Sequence, residues 1–208
     1  MHPFLTRLGI RPEAQEWFGQ FYHTDPEGNL VFDYGADAEI YGLAFHRVPV
    51  TDQLWIAGCV NFRMAKQVFI CSSAMEAITF LHYNYSSFPD PGSLLFLATG
   101  SGIKDTHIQW INTCLPEKKY TLVFGNDPLG KLLDLKVAAG IRKVPVAIYE
   151  KDGNCMVNFR SQNFSIDSAA FSLNVLEKLS AYRFNIRTLK PKGYINYFEQ
   201  LKASAFQL

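Results

Sequence analysis

From Gln67 onward the chain alternates short apolar runs with amphipathic stretches, and that order narrows the folds open to it. Val68 to Cys71 is an apolar run. Ala74 to Tyr85 follows with helical spacing, carrying Met75, Ile78, Leu81, His82 and Tyr85 on one stripe. Leu94 to Ala98 is a second run, closed by the turn Thr99-Gly100-Ser101-Gly102. Asp105 or Thr106 then opens a helix with Ile108, Ile111 and Leu115 on one side. Tyr120 to Phe124 is a third run, Pro128 to Ala139 a third helix closed by Gly140, and Val144 to Tyr149 a fourth strand. The β-α-β-α-β-α-β order predicts an α/β fold, a mostly parallel sheet with helices on both faces. Parallel strands buried on both sides read as continuous apolar runs, as these do.

The flanks differ in texture. Arg11 to Phe21 predicts a short helix, with Pro12 near its start and Ala14, Trp17, Phe18 and Phe21 at helical spacing. Strand-like runs follow at Leu30 to Tyr34, Ile40 to Val48 and Leu54 to Ala57. Residues 1–66 are accordingly read as a small N-terminal α+β lobe, 67–150 as the core, and 151–208 as a helical C-terminal extension packed on it. Within the extension we expect a strand at Cys155 to Phe159, a long helix from about Asp167 to Tyr182 and a short run from Phe184 to Leu189. A last helix is expected near Ile195 to Phe206.

At 208 residues, 48% of them hydrophobic, the chain suffices for a substantial core, as one domain or a compact domain plus a lobe. No apolar stretch approaches the roughly 18 residues of a membrane span, so no membrane partner is expected. Met1-His2-Pro3-Phe4 lacks the character of a secretory signal, and the expectation is a cytoplasmic protein. Cys59, Cys71, Cys114 and Cys155 are far apart and form no C-x-x-C pair; the histidines are equally scattered. Reduced thiols are expected, and no histidine or cysteine metal site. The net charge of +1 hides an asymmetry: residues 138–208 carry ten basic and five acidic side chains, the rest a net negative charge. A basic C-terminal third suits phosphates, and it equally describes a solvated surface.

Ligands of parallel sheets bind at the carboxyl ends of the strands, which directs attention to Ser72-Ser73, Thr99 to Gly102 and Gly125 to Asp127. Two of these loops also have a purely local explanation. Ser73-Ala-Met-Glu76 is a capping box, in which serine and glutamate satisfy the first amides of a helix. Asp127 followed by Pro128 is a favoured helix start, with Asp at the cap and Pro at the first helical position.

Taken together, the order and spacing of these segments resemble the Toprim domain shared by topoisomerases and bacterial primases. In that family the first strand ends in a glutamate that serves as general acid/base, followed by a small residue, two variable positions, Asp and Ala. Here Val68-Phe-Ile-Cys-Ser72-Ser73-Ala-Met-Glu76-Ala has Ser72 at the glutamate and Glu76 at the following acidic position. Leu97 to Gly102 is similar to the middle strand and its glycine-containing turn, whose backbone amides suit a phosphate. The family's third strand ends Asp-x-Asp-x-x-Gly; this chain has Gly125-Asn126-Asp127-Pro128-Leu129-Gly130, so Asp127 and Gly130 match and Gly125 replaces the first aspartate. Lys190-Pro191-Lys192-Gly193-Tyr194-Ile195-Asn196 resembles the Pro-x-Gly-Lys-Asp-Trp-Asn stretch that follows the core in plasmid and phage primase-like proteins, with Tyr194-Ile195 in place of the Lys-Asp pair. Leu8-Gly9-Ile10-Arg11-Pro12-Glu13 is similar to the short helix that precedes the core in those members.

The resemblance implies phosphodiester chemistry on a magnesium ion held by carboxylates, with a glutamate moving the proton. Serine cannot replace that glutamate at neutral pH, and losing such a group typically removes about 10²–10⁴-fold in rate. The degenerate positions Ser72 and Gly125, beside the retained Glu76 and Asp127, therefore predict a non-catalytic Toprim-like module without metal or other cofactor. It is expected to bind nucleic acid or a nucleotide, or replication or mobilisation proteins, through Ser72, Ser73, Thr99, Ser101, Lys104, Asp127 and Lys131. The alternatives are an active magnesium-dependent primase- or nuclease-type enzyme that recruits carboxylates from elsewhere, and a structural or protein-interaction domain.

Overall fold

The computed structural model describes residues 1–205. Two short helices, α1 (Pro3–Arg7) and α2 (Pro12–Phe18), open the chain, each with proline in its first turn. Strands β1 (His23–Thr24), β2 (Leu30–Tyr34), β3 (Asp37–Tyr41) and β4 (His46–Arg47) then form an antiparallel sheet in sequence order. The predicted run from Ile40 to Val48 is thus two strands, because the chain reverses between Tyr41 and His46, which pair with each other. Strand β5 (Trp55–Gly58) leaves this sheet for the next one.

The remaining elements are β6 (Gln67–Cys71), α3 (Ala74–Asn84), β7 (Leu94–Ala98), α4 (Asp105–Cys114), β8 (Lys119–Val123), α5 (Pro128–Ile141), β9 (Val146–Lys151), β10 (Asn154–Phe159), β11 (Gln162–Asp167), α6 (Leu173–Ser180), β12 (Arg187–Thr188) and α7 (Tyr197–Ala205). The main sheet runs β12-β8-β6-β7-β5. All its pairings are parallel except that of β5 with β7. It draws an edge strand from each flank of the β6–α5 segment.

The fold is α/β, with helices on both faces of this sheet, and strand alternation produces both faces. Phe69 and Cys71 of β6 enter one core with Met75, Ile78 and Leu81 of α3, Phe18 of α2 and Phe198 of α7. Val68 and Ile70 enter the other, with Ile111 of α4, Leu135 and Val137 of α5 and Leu176 of α6. The first core is aromatic: Phe69 stacks on Phe96 at 4.8 Å, and Trp17, Phe18 and Phe80 pack around them. Burying each such side chain is worth roughly 1.5–3 kcal/mol.

The segment Val144 to Tyr149 is not the fourth parallel strand. Its residues Val146 to Tyr149 lie in β9, at the edge of a separate antiparallel sheet, β11-β10-β9. Asp152 and Gly153 both take positive φ, 51° and 76°, and form a tight turn that returns the chain at once as a hairpin. The strand also alternates between half-buried and exposed residues instead of being buried throughout. The outer parallel strand is β12, inside the run Phe184 to Leu189. The helix expected from Asp167 to Tyr182 is only Leu173–Ser180. Asp167 ends β11 and accepts hydrogen bonds from the amides of Ala169 and Ala170, which turns the chain. Ser172 then caps the helix, and Ala181 ends it with φ of 52°. The last helix forms near its predicted place; Phe206, its predicted end, lies outside the described residues.

Candidate functional site

Cys71 pairs in register with Ala98 on one side and Val123 on the other, so the loops after β6, β7 and β8 leave the sheet side by side. The sequence-predicted positions Ser72, Thr99 and Gly125 are therefore neighbouring strand ends. Most of the polar groups at this edge are already engaged.

The loop after β7 is closed from the N-terminal segment. Thr99 is fully buried, and its amide donates to the Cys71 carbonyl at 3.0 Å. The Ser101 amide donates to the Pro49 carbonyl at 2.8 Å, so it is not free for a phosphate. Gly100 has φ of 76°, and a Cβ there would stand 2.5 Å from the Pro49 oxygen; the approach of that strap requires glycine. Lys104 pairs with Asp52 at 2.9 Å, and the Lys131 ammonium donates to the Ala169 carbonyl at 3.1 Å.

The Asp127-Pro128 helix start holds in full and the Ser73–Glu76 box in part. Ser73 Oγ accepts from the Glu76 amide at 3.1 Å and Asp127 Oδ1 from the Gly130 amide at 2.9 Å. Glu76 does not complete the box. Its buried carboxylate accepts instead from the amides of Tyr197 at 2.7 Å and Phe198 at 3.2 Å, and so caps α7. Burial pushes its pKa up to about 7, against those amides, which favour the charged form.

Two further amides at the start of α3 are served by a residue that the sequence pattern does not mark. Glu39 of β3 is fully buried. Its Oε2 accepts from the Ala74 amide at 2.7 Å and the Tyr34 hydroxyl at 2.9 Å. Its Oε1 accepts from the Met75 amide at 3.1 Å and contacts His46 Nε2 at 2.8 Å. A carboxylate at a helix N-terminus is favoured by the free amides and the dipole. Nothing in Asp37-Ala38-Glu39 distinguishes it from a solvated strand.

At the end of β8 the C-terminal segment enters the site. The Lys190 ammonium donates to the carbonyls of Phe124 and Gly125, both at 2.9 Å, and pairs with Asp134 Oδ2 at 2.6 Å. The Asn126 amide donates to the Ile195 carbonyl. Burial lowers the Lys190 pKa, opposed chiefly by Asp134 and also by Asp127 and Glu76. Burial likewise pushes Asp134 up to about 6, with Lys190 opposing. Sequence carried one signal for this pair: Asp134 lies in the apolar stretch Leu132-Leu133-Asp134-Leu135, where an acid needs a partner.

These donors do not fit a magnesium ion. Magnesium takes near-octahedral oxygen ligands and prefers carboxylates. Here Ser72 and Gly125 offer none, and Glu76 and Asp127 are engaged by backbone amides. A fixed ammonium occupies the carbonyls of Phe124 and Gly125. A Cβ on residue 125 would stand 2.6 Å from Asp127 Oδ1, so the aspartate also covers the place of a side chain there. Among the described residues no three His, Cys, Asp or Glu side chains converge as a metal site, and the cysteines are free thiols. No helix among them is long and apolar enough to cross a membrane.

Comparisons with protein-family models, with curated proteins and with solved structures returned no match to this chain.

Proposed function

We propose that this chain is a non-catalytic Toprim-like module that binds nucleic acid or a nucleotide, in a setting of DNA replication or mobile-element maintenance. One observation carries the non-catalytic part: the Lys190 ammonium holds the end of β8 through Phe124, Gly125 and Asp134. An internal monovalent cation, supplied by the tail, stands against the strand end to which the resemblance assigns a metal. Ser72 removes the proton-transfer group at the neighbouring strand end. Magnesium has no vacant carboxylate cluster to enter, and the retained Glu76 carboxyl is engaged by the amides of Tyr197 and Phe198. The parallel order β8-β6-β7 and the Asp127-Pro128-Leu129-Gly130 helix start support the Toprim-like reading. The nucleic-acid part rests on the resemblance and on the excess of basic residues in the C-terminal third.

Calorimetric titration with magnesium, with and without single-stranded DNA, tests this reading. We expect no magnesium binding, and DNA binding that ignores magnesium and weakens with salt. Metal-stimulated primer synthesis or cleavage, abolished by Asp127→Ala, would establish the magnesium-dependent enzyme instead. Absence of both metal and DNA binding would leave a structural or protein-interaction domain.

A further inference from the structure

A large cleft lies at the other end of the sheet, at the amino ends of β6, β8 and β12, with a volume of about 1120 Å³. Six basic and three acidic side chains line it, an excess of +3 in a chain whose whole net charge is +1. Pairing accounts for part of this. Lys66 pairs with Asp90 at 2.9 Å and Arg183 with Glu177 at 3.1 Å. Lys118, Lys119, Arg142 and Arg187 are left against Glu117 alone.

Two of these cations are held in position by backbone. The Lys118 ammonium donates to the carbonyls of Arg63 and Ala65, and the Arg142 guanidinium to those of Phe184 and Asn185. Arg142 also follows α5, where a cation offsets the helix dipole. That explanation does not extend to Lys119 and Arg187. Both are exposed, open adjacent parallel strands, and join no ion pair among the described residues. Like charges gathered in one concave site repel each other and raise the local potential, an arrangement that an anion relieves. Half-buried Phe88 and the side chain of Asn84 supply an aromatic and a polar group in the same cleft.

We propose that this cleft is the nucleic-acid site and that it takes a single strand, the phosphates lying along Lys118, Lys119, Arg142 and Arg187. The inference deepens the nucleic-acid reading above and rests on it, but moves the contact away from Ser72, Thr99 and Asp127. The cleft exceeds the roughly 300–1,000 Å³ of small-ligand pockets, which favours several linked nucleotides over one. Fixed cations beside an aromatic ring are the means by which single strands are held without sequence readout.

The test is fluorescence anisotropy with a labelled oligothymidylate of about a dozen nucleotides. Lys119→Ala/Arg187→Ala is expected to weaken binding about tenfold or more. It should also lower the slope of log affinity against log salt by about 1.4, roughly 0.7 per lost phosphate contact. Arg47→Ala/Lys151→Ala, which removes equal charge elsewhere, is expected to bind as wild type. Lys119→Glu alone provides the same readout should the double variant be unstable. Undiminished binding by the cleft variants, with loss in Lys104→Ala/Lys131→Ala, would overturn the cleft while sparing the nucleic-acid reading. Equal affinity for duplex, or displacement by a mononucleotide at matching concentration, would overturn the single strand as ligand. No binding by wild type at low salt would overturn both the cleft and the nucleic-acid reading.

Discussion

Lys190 and Asp134, which lie on separate elements and come together at 2.6 Å, join the C-terminal segment to α5 across the end of β8. Both side chains are largely buried, and the ammonium is further fixed by the carbonyls of Phe124 and Gly125. Charges taken out of water in this way are tolerated only as a set.

Removing one member should therefore cost more than removing both. Lys190→Met leaves the Asp134 carboxylate buried without its cation and is expected to destabilise by about 3 kcal/mol or more in urea unfolding. Lys190→Met/Asp134→Leu should recover most of that loss. A double variant as unstable as the sum of its parts would show that the two residues act independently.

Magnesium affinity provides a second expectation. Ser72→Glu/Gly125→Asp restores the two carboxylates but leaves the ammonium at the end of β8 and the Asp127 carboxylate over residue 125. Calorimetry should detect magnesium only when Lys190→Ala is added. Failure of the triple variant as well would count against aligning the two loops with the metal-binding motifs.

The Glu76 carboxyl gives a pH dependence with a definite sign. Its folded-state pKa is raised from 4.5 to about 7, mainly by burial. Between those values the folded chain retains a proton that the unfolded chain has released. The contribution is thus fully present below 4.5 and is lost as pH rises through about 7. Subtracting the unfolding free energies of Glu76→Gln from those of wild type across this window should give a difference that falls with pH. A flat or rising difference would contradict the assignment.

Glu39 anchors the N-terminal sheet to the start of α3 through the amides of Ala74 and Met75. Glu39→Ala leaves those amides and the Tyr34 hydroxyl buried without their acceptor, a loss of about 3 kcal/mol. Glu39→Gln, which keeps an acceptor oxygen, should lose less. Chemical denaturation of the two variants side by side checks the order.

Gly130 packs against backbone: a Cβ would stand 2.0 Å from the Gly125 carbonyl oxygen. No rotamer change relieves a clash with main chain. Gly130→Ala should cost about 3 kcal/mol in thermal unfolding, at the upper end for overpacking, although alanine favours a helix. A neutral effect would mean that the β8–α5 turn relaxes freely.

Much of the core was legible because its physics is local. The runs at Val68, Leu94 and Tyr120 become parallel strands, and the helices between them follow from apolar spacing and from caps at Ser73 and Asp127. The Val144 segment departs from its expected place because a short β-rich run pairs equally well in either sheet. The Asp152-Gly153 dipeptide, a hairpin signal, marks the antiparallel pairing. The candidate site was less legible: Ser72, Thr99 and Gly125 do meet at one edge, but the chemistry there depends on their partners.

Composition and periodicity by themselves determined the alternating elements, the apolar faces and the helix starts, all of which arise between residues a few positions apart. Only the tertiary structure decided what the polar groups do. Glu76 faces Tyr197, Glu39 faces Ala74, and Lys190 faces Asp134 and Gly125. The reason is that a buried charge takes whichever partner folding brings within hydrogen-bond distance, and sequence spacing does not encode that distance.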